Sequence, residues 1–299
     1  MIVSVSRRTD IPALYSDWFF GRLEAGEAHV RNPFNARQLR RVSLRPPDVD
    51  GFVFWTRNPA PMLPRLASLA AYRYYFLITI TGYGPDLELR SPPVAQAVDN
   101  FKRLAEQLGP ERAIWRYDPI ILDEHYDAAW HRANFARLAE RLTGATAKCI
   151  LSFVTLYAKT RRNLPGLAEA GLAAKRELAA GLKELAAARG IALTACCASD
   201  LSEVLPPAGC IDADLLGVTA ARDRHQRPGC TCACSVDLGC YDSCTHGCRY
   251  CYANASPALA LKRAAEHDPA SPLLLGWPKG DEHLVASPPE QASLFQGLD

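Results

Sequence analysis

The sequence has almost no net charge and lacks a long apolar run. Its 34 lysines and arginines face 32 aspartates and glutamates, a formal net charge of +2. This balance neither indicates nor excludes nucleic acid as a partner, because a local basic patch is still compatible with it. No uncharged apolar run reaches the roughly 18 residues of a membrane span. The opening residues MIVSVSRRTDIP lack the apolar core of a signal peptide. We expect a soluble, cytoplasmic protein with no membrane partner.

The chain also lacks low-complexity tracts and any repeat period that would indicate a solenoid. It is instead rich in cysteine: 11 of its 299 residues are cysteines, and eight of these lie between residues 206 and 251. Thiols are kept reduced in the cytoplasm, so clustered cysteines predict a metal or iron–sulfur site rather than disulfides.

Short β-branched or aromatic runs alternate with helical patterns before the cysteine-rich part. The predicted helical segments are 12–25, 60–70, 92–108, 127–142 and 166–189. The predicted strands are 2–6, 51–56, 74–81, 113–118, 148–154 and 191–197. This alternation predicts an α/β fold with a parallel sheet, and the number of βα units favours a (β/α) barrel or partial TIM barrel. We predict a barrel core over residues 1–205 and a cysteine-rich segment, 206–299, that completes it.

Polar sequences follow the first four predicted strands: SRRTD, TRNP, TGYG and YDPI. Each of them alone is ordinary turn chemistry. Active sites of parallel α/β folds lie at the carboxyl ends of the strands, so four such sequences together favour a site. The candidate residues are Arg7, Arg8, Thr9, Asp10, Trp55, Arg57, Arg116 and Asp118.

Three cysteines lie close together in CTHGCRYC, residues 244–251. Structural zinc prefers four ligands, usually in two separated pairs. Three thiolates in so short a stretch better suit an iron–sulfur cube, whose irons occupy separate corners. With three ligands one iron stays open to a substrate or cofactor. If Cys240 were a fourth ligand, the cluster would be closed.

Other cysteines predict a second site, most simply an auxiliary [4Fe–4S] cluster, with zinc as the alternative. Cys196 could replace Cys197 as a ligand of this second site, and Cys234 is assigned to neither site. Cys149 falls inside a predicted strand, where we expect it to behave as a small buried apolar residue. The predicted ligands are Cys197, Cys210, Cys230 and Cys232.

The stretch 244–251 resembles the signature of the radical S-adenosylmethionine (SAM) superfamily, C-x3-C-x2-C with an aromatic residue before the third cysteine. Cys244, Cys248, Tyr250 and Cys251 match it residue by residue. The resemblance implies that the open iron of a [4Fe–4S] cluster binds SAM. It further implies that an electron from a donor such as flavodoxin or ferredoxin cleaves SAM to a 5′-deoxyadenosyl radical.

The signature normally follows the first strand of a (β/α) barrel, near the N-terminus, whereas here it lies near the other end. A circular permutation relative to radical SAM barrels would reconcile the two arrangements. SVDLGCYDSC would then supply the first barrel strand and its exit loop, a helix over 257–267 would follow, and IVSVSRRTD would act as the second strand.

The resemblance also implies roles for the polar strand ends. Arg7, Arg8, Thr9 and Asp10 would hold the methionine end of SAM or the substrate. The other candidates would line the mouth of the barrel. We therefore expect Thr9 and Trp55 to contribute to cofactor binding, and the catalytic set to be Arg7, Arg8, Asp10, Arg57, Arg116 and Asp118.

A second resemblance covers nearly the whole chain. SRRTDIPALYSDWF, RNPFN, VFWTRNPAPML, RYDPI and GCYDSCTHGCRYCYAN together resemble the bacterial family DUF1848, which implies no reaction. RYDPI and the TRN after a strand are also weakly similar to spore photoproduct lyase-like radical SAM proteins.

The last residues resemble the pentapeptide by which bacterial repair proteins and polymerases dock on the replication sliding clamp. Gln291–Phe295 reads QASLF, with Leu294 and Phe295 as apolar anchors. The alternative is that these anchors pack on their own domain. If docking places the chain near DNA, phosphates could be contacted by Arg31, Arg37, Arg40, Arg41 and Arg45, although an ordinary solvated face explains these arginines equally well.

Two hypotheses follow. The leading one is a radical SAM iron–sulfur enzyme with an auxiliary cluster that acts on a nucleic-acid lesion or modified base, as in DNA repair. The other is a non-enzymatic, DNA-associated protein whose iron–sulfur or zinc sites are structural. Reductive cleavage of SAM distinguishes the two.

Overall fold

The computed structural model describes residues 1–286, so the proposed docking peptide lies outside the described residues. The strands of this part are, in chain order, β1 (Ile2–Val5), β2 (Glu27–Asn32), β3 (Asn35–Ser43), β4 (Gly51–Thr56), β5 (Tyr74–Thr79), β6 (Ala113–Ile120), β7 (Lys148–Phe153), β8 (Ala192–Ala195), β9 (Val236–Asp237) and β10 (His283–Ala286).

Seven parallel strands form the main sheet, in the order β8-β7-β6-β5-β4-β1-β9. Strands β1, β4 and β5 are buried along their whole length, as expected for a parallel sheet that is covered on both faces. The predicted α/β fold with a parallel sheet is therefore confirmed. The two edge strands, β8 and β9, do not pair with each other, and no closed barrel is found within residues 1–286.

The expected additional strand is present at the β1 edge of the sheet. Val236 and Asp237 of β9 pair in parallel with Val3 and Ser4 of β1. The cysteine-rich segment thus adds a strand beside β1, the N-terminal strand of the main sheet. This pairing places the loop 244–251 beside SRRTD, residues 6–10, which follow β1.

The helices are α1 (Ile11–Leu14), α2 (Ser16–Ala25), α3 (Val94–Leu108), α4 (Ala128–Leu142), α5 (Ala158–Asn163), α6 (Leu172–Ala187), α7 (Ala213–Leu216) and α8 (Pro257–Ala264). The predicted helical segment 60–70 is instead a 3-10 helix, Ala60–Leu69. Its prolines, Pro61 and Pro64, lack the N–H groups that a regular α-helix requires.

Alternate residues of each strand enter two different cores. Phe54 and Phe76 belong to the larger core, which also contains Phe19 of α2. Their strand neighbours Trp55 and Leu77 face the opposite side, together with buried residues of the segment 196–233. The period of two along a strand therefore separates a helix-covered face from a face that the cysteine-rich segment covers.

A small second sheet, β10-β3-β2, was not expected from the sequence. Arg31, Arg37, Arg40 and Arg41 lie on its strands β2 and β3, and Arg45 follows them. Arg31 forms an ion pair with Glu282, which precedes β10. Within residues 1–286, no helix combines the length and apolar character needed to cross a membrane.

Candidate functional site

One cavity of about 240 Å³ opens at the carboxyl ends of the main-sheet strands. All the strand-end residues and cluster ligands predicted from the sequence line it. The strand ends contribute Arg7, Arg8, Thr9, Asp10, Trp55, Arg57, Arg116 and Asp118, and the cysteine-rich part contributes Cys197, Cys210, Cys230, Cys232, Cys244, Cys248, Tyr250 and Cys251. The five arginines of the small-sheet region do not line this cavity.

A buried carboxylate fixes the strand that precedes the cysteine loop. Asp237, at the end of β9, accepts hydrogen bonds from Ser4 Oγ at 2.8 Å, Ser6 Oγ at 2.6 Å and the backbone N–H of Arg7 at 2.7 Å. These bonds hold the end of β1 and the start of the loop in register, so Arg7 and Arg8 enter the cavity beside the cysteines.

A second carboxylate connects three segments of the site. Asp10 Oδ1 accepts a hydrogen bond from Ala13 N at 3.0 Å and so caps α1. Its Oδ2 accepts one from Arg57 N at 2.7 Å and lies 2.8 Å from His246 Nε2. His246 lies between Cys244 and Cys248, so Asp10 ties the cysteine loop to the ends of β1 and β4.

The loop cysteines are partly buried. Burial raises the pKa of Cys244 and Cys251, and it raises the pKa of Cys248 to about 11. The thiols are thus protonated at neutral pH when no metal is bound, and a bound cluster must displace their protons. Cys240 does not line the cavity, and its Sγ accepts a hydrogen bond from Arg263 Nη2 at 3.5 Å. The loop therefore presents three cysteines to the cavity.

Five other thiols form a second group, which includes both Cys196 and Cys197. The Sγ atoms of these two residues are 3.6 Å apart. Cys232 Sγ accepts a hydrogen bond from Ile211 N at 3.4 Å, and Cys230 Sγ accepts one from Cys232 N at 3.5 Å. The group is completed by Cys210, whose thiol lies beside those of Cys196 and Cys232.

Polar neighbours act on this second group. Hydrogen bonds from the thiols of Cys196 and Cys230 lower the pKa of Cys197 to about 3, and the nearby Arg227 guanidinium acts in the same direction. Arg227 also donates a hydrogen bond to Thr155 Oγ1 at 2.9 Å. The remaining cysteines lie apart: Cys234 is exposed, and Cys149 is buried within β7, as the sequence predicts.

The donors around the second group fit an iron–sulfur cluster. Within residues 1–286, the buried N–H groups of Trp55 Nε1, Arg7 Nε and Arg116 Nε have no hydrogen-bond partner. Arg7 acts electrostatically on Cys232, and Arg116 lies near Cys210 and Cys196. The sulfides of a cluster are acceptors that could satisfy such donors.

Both zinc and an iron–sulfur cluster take thiolate ligands. Among residues 1–286, no group of three or more cysteine, histidine or acidic side chains converges on a single-ion site. In the second group the Sγ atoms of Cys196 and Cys197 nevertheless lie only 3.6 Å apart.

Several residues of the site carry no clear signal in the sequence. His246 and Asp237 look like ordinary loop and strand residues until their partners are known. Glu88, in the loop after β5, is buried beside Tyr250 and Arg57. Ser152, at the end of β7, donates a hydrogen bond to Asp118, which also pairs with Arg116. Their partners lie far away along the chain, so only the fold brings these residues together.

A family model described as "Domain of unknown function (DUF1848)" matches residues 2–253. No curated protein and no solved structure matches the chain.

Proposed function

We propose that this chain, which belongs to the DUF1848 family, is a radical SAM enzyme with an auxiliary iron–sulfur cluster. One observation carries the proposal: Cys244, Cys248 and Cys251 line the same cavity as the second thiol group, and Cys240 does not. Three thiolates would leave one iron of a [4Fe–4S] cluster open. The chemistry supplied at that iron would be one-electron cleavage of SAM to a 5′-deoxyadenosyl radical.

The strand order supports a permuted relative of the radical SAM barrel. β9 and its cysteine loop would take the place of the first barrel strand and β1 that of the second, and β4 to β8 follow in this order across the sheet. The α8 helix after the loop would correspond to the first barrel helix. In this arrangement the first βα unit of the barrel would come last in the sequence, and the second would come first.

The chain's own residues would position the two ligands. Asp10 and His246 fix the cysteine loop. Within the described part of the chain, Thr9 Oγ1 and Arg8 Nε are buried without a hydrogen-bond partner, and they are suited to the carboxylate of SAM. Arg116 lies over the Trp55 ring, with its guanidinium carbon 4.8 Å from the centroid, and together they form the wall of the cavity beside the second thiol group.

The proposed ligands of the auxiliary cluster are Cys210, Cys230, Cys232 and one of the neighbours Cys196 and Cys197. Four thiolates close a cube, so this cluster would bind no cofactor. Arg7, Arg116 and Arg227 would compensate its negative charge, because each of them acts electrostatically on at least one of these thiols.

A nucleic-acid lesion or modified base is the proposed substrate class, and it rests on the resemblance of the docking peptide and of the lyase-like motifs. Arg41, on the small sheet, is about half exposed and forms an ion pair with Glu27 at 3.8 Å. The proposed docking peptide, residues 291–295, follows β10 of the same sheet. A cytoplasmic flavodoxin or ferredoxin would supply the electron.

Clamp docking is tested by removing residues 291–299. The intact chain should bind the sliding clamp with micromolar affinity, about −8 kcal/mol, because ordering a flexible peptide offsets part of the gain from two apolar anchors. The truncated chain should not bind. Equal binding by both would remove the main argument for placing the enzyme on DNA.

The enzymatic proposal is tested by anaerobic reconstitution with iron and sulfide, followed by dithionite and SAM. We expect iron near eight per chain and formation of 5′-deoxyadenosine. Clusters without SAM cleavage would favour the structural, non-enzymatic alternative. Stoichiometric zinc without iron would contradict the proposal altogether.

A further inference from the structure

Glu88 is a buried carboxylate at the cysteine loop, with a side chain only 5% exposed. Its Oε1 accepts a hydrogen bond from Thr81 Oγ1 at 2.5 Å and another from the Tyr250 hydroxyl. Its Oε2 accepts one from Arg57 Nη1 at 2.8 Å. A carboxylate this deeply buried needs such partners, because burying an unpaired charge is strongly unfavourable.

The backbone around Glu88 pairs with the cysteine loop. Glu88 lies opposite Cys248 in an isolated antiparallel β-bridge. On either side of it, Arg249 N donates to Leu87 O at 2.9 Å, and Arg90 N donates to His246 O at 2.8 Å. Residues 87–90 therefore form a short edge against which the stretch 246–249 is held.

Arg57 connects Glu88 to the thiol of Cys248. Its guanidinium pairs with Glu88, also donates to the Tyr250 hydroxyl, and lies within electrostatic reach of Cys248. Both charged side chains are largely buried, so little solvent screening separates them from the thiol. With Glu88 ionised, the Arg57–Glu88 pair beside Cys248 has no net charge. Without the Glu88 charge, a positive charge on Arg57 remains beside the thiol.

We infer that Glu88 is a positioning residue for the SAM-binding cluster: its carboxylate cancels the charge of Arg57 beside Cys248. This inference rests on the proposed function. Reduction adds negative charge to a cluster, so removing a nearby negative charge favours the reduced form. Loss of the Glu88 charge should therefore raise the reduction potential of that cluster.

The test is a redox titration of the reconstituted protein, followed by EPR, on wild type and three variants. Glu88→Gln keeps the size of the side chain and removes its charge. Asp86→Asn makes the same change two residues away, on an exposed side chain whose carboxylate accepts a hydrogen bond from Tyr126. The double variant Glu88→Gln/Arg57→Gln removes both charges and leaves the net charge as in wild type.

We expect Glu88→Gln to shift the reduction equilibrium at least tenfold toward the reduced form, which is about 59 mV for one electron. Asp86→Asn should leave the potential unchanged, and the double variant should return it toward that of wild type. A Glu88→Gln potential equal to that of wild type would overturn the inference. So would a double variant that shifts as far as the single one.

If Glu88→Gln assembles no cluster at this site, the double variant still decides the question. Loading of the double variant, at a potential near that of wild type, supports charge cancellation. Failure of both, while Asp86→Asn loads normally, overturns it. A wild-type protein that forms no cluster or does not cleave SAM instead overturns the proposed function, before any variant is compared.

Discussion

The Asp10 carboxylate lies 2.8 Å from His246 Nε2, although the two residues are 236 positions apart in the chain. This contact joins the segment after the first strand to the middle of the cysteine loop. Asp10 is buried and also accepts backbone hydrogen bonds from Ala13 and Arg57. It therefore holds the site together even before a cofactor binds.

Asp10→Asn should destabilise the apoprotein by about 1–3 kcal/mol. The amide N–H₂ of asparagine cannot accept a hydrogen bond, so one buried donor around it loses its partner. Urea unfolding of the metal-free protein measures the change. Asp17→Asn is the matched control, because the Asp17 side chain is 90% exposed and its ion pair with Arg65 is long, at 3.9 Å. The control should change stability by less than about 0.5 kcal/mol. Equal effects of both substitutions would contradict the structural role of Asp10.

Of the adjacent Cys196 and Cys197, one should be dispensable for the auxiliary cluster. The second group has five thiols, and a cube takes four. One of the variants Cys196→Ala and Cys197→Ala should thus retain the iron content of wild type, while the other loses about four irons per chain. Cys234→Ala, at an exposed position, is the control and should lose none. Full retention of iron by both single variants and by the double variant Cys196→Ala/Cys197→Ala would show that neither residue is a ligand.

The stability of the fold should decrease as the pH falls below 6.5. Burial lowers the pKa of His131 below its ordinary value of 6.5, so the folded state binds this proton less readily than the unfolded chain does. The stabilising contribution is complete above pH 6.5 and is lost as the pH falls toward the folded-state pKa. Urea midpoints of the apoprotein at pH 7.5 and pH 5.5 measure it. His131→Gln should reduce the difference, and an unchanged difference would contradict the assignment.

The sequence predicted most of the main sheet because its strands are short apolar runs between amphipathic segments. The polar sequences at the strand ends then predicted that Trp55 and Arg57 lie at one edge of the sheet. The hairpin of β2 and β3 was missed, because its strands are polar and only partly buried. The third strand of this small sheet, β10, lies more than 200 residues further along the sequence, so no local pattern connects it to the hairpin.

The candidate site was predictable where one short motif carried the signal, as in Cys244, Cys248, Tyr250 and Cys251. The choice between Cys196 and Cys197 stayed open, because the spacings of two adjacent residues to every other cysteine differ by only one residue. Glu88 could not be found from the sequence. Its role depends on a bridge to Cys248, and that bridge exists only once the sheet is assembled.

The most direct test of the central claim is the formation of 5′-deoxyadenosine from SAM under dithionite, measured in wild type and in cysteine variants. Wild type and the exposed-site control Cys234→Ala should form it. Cys240→Ala should also form it, because Cys240 lies outside the cavity. Substitution of Cys244, Cys248 or Cys251 by Ala should abolish it while the signal of the auxiliary cluster remains. Equal 5′-deoxyadenosine formation by the Cys248→Ala variant and wild type would contradict the account, as would its absence from the fully iron-loaded wild type.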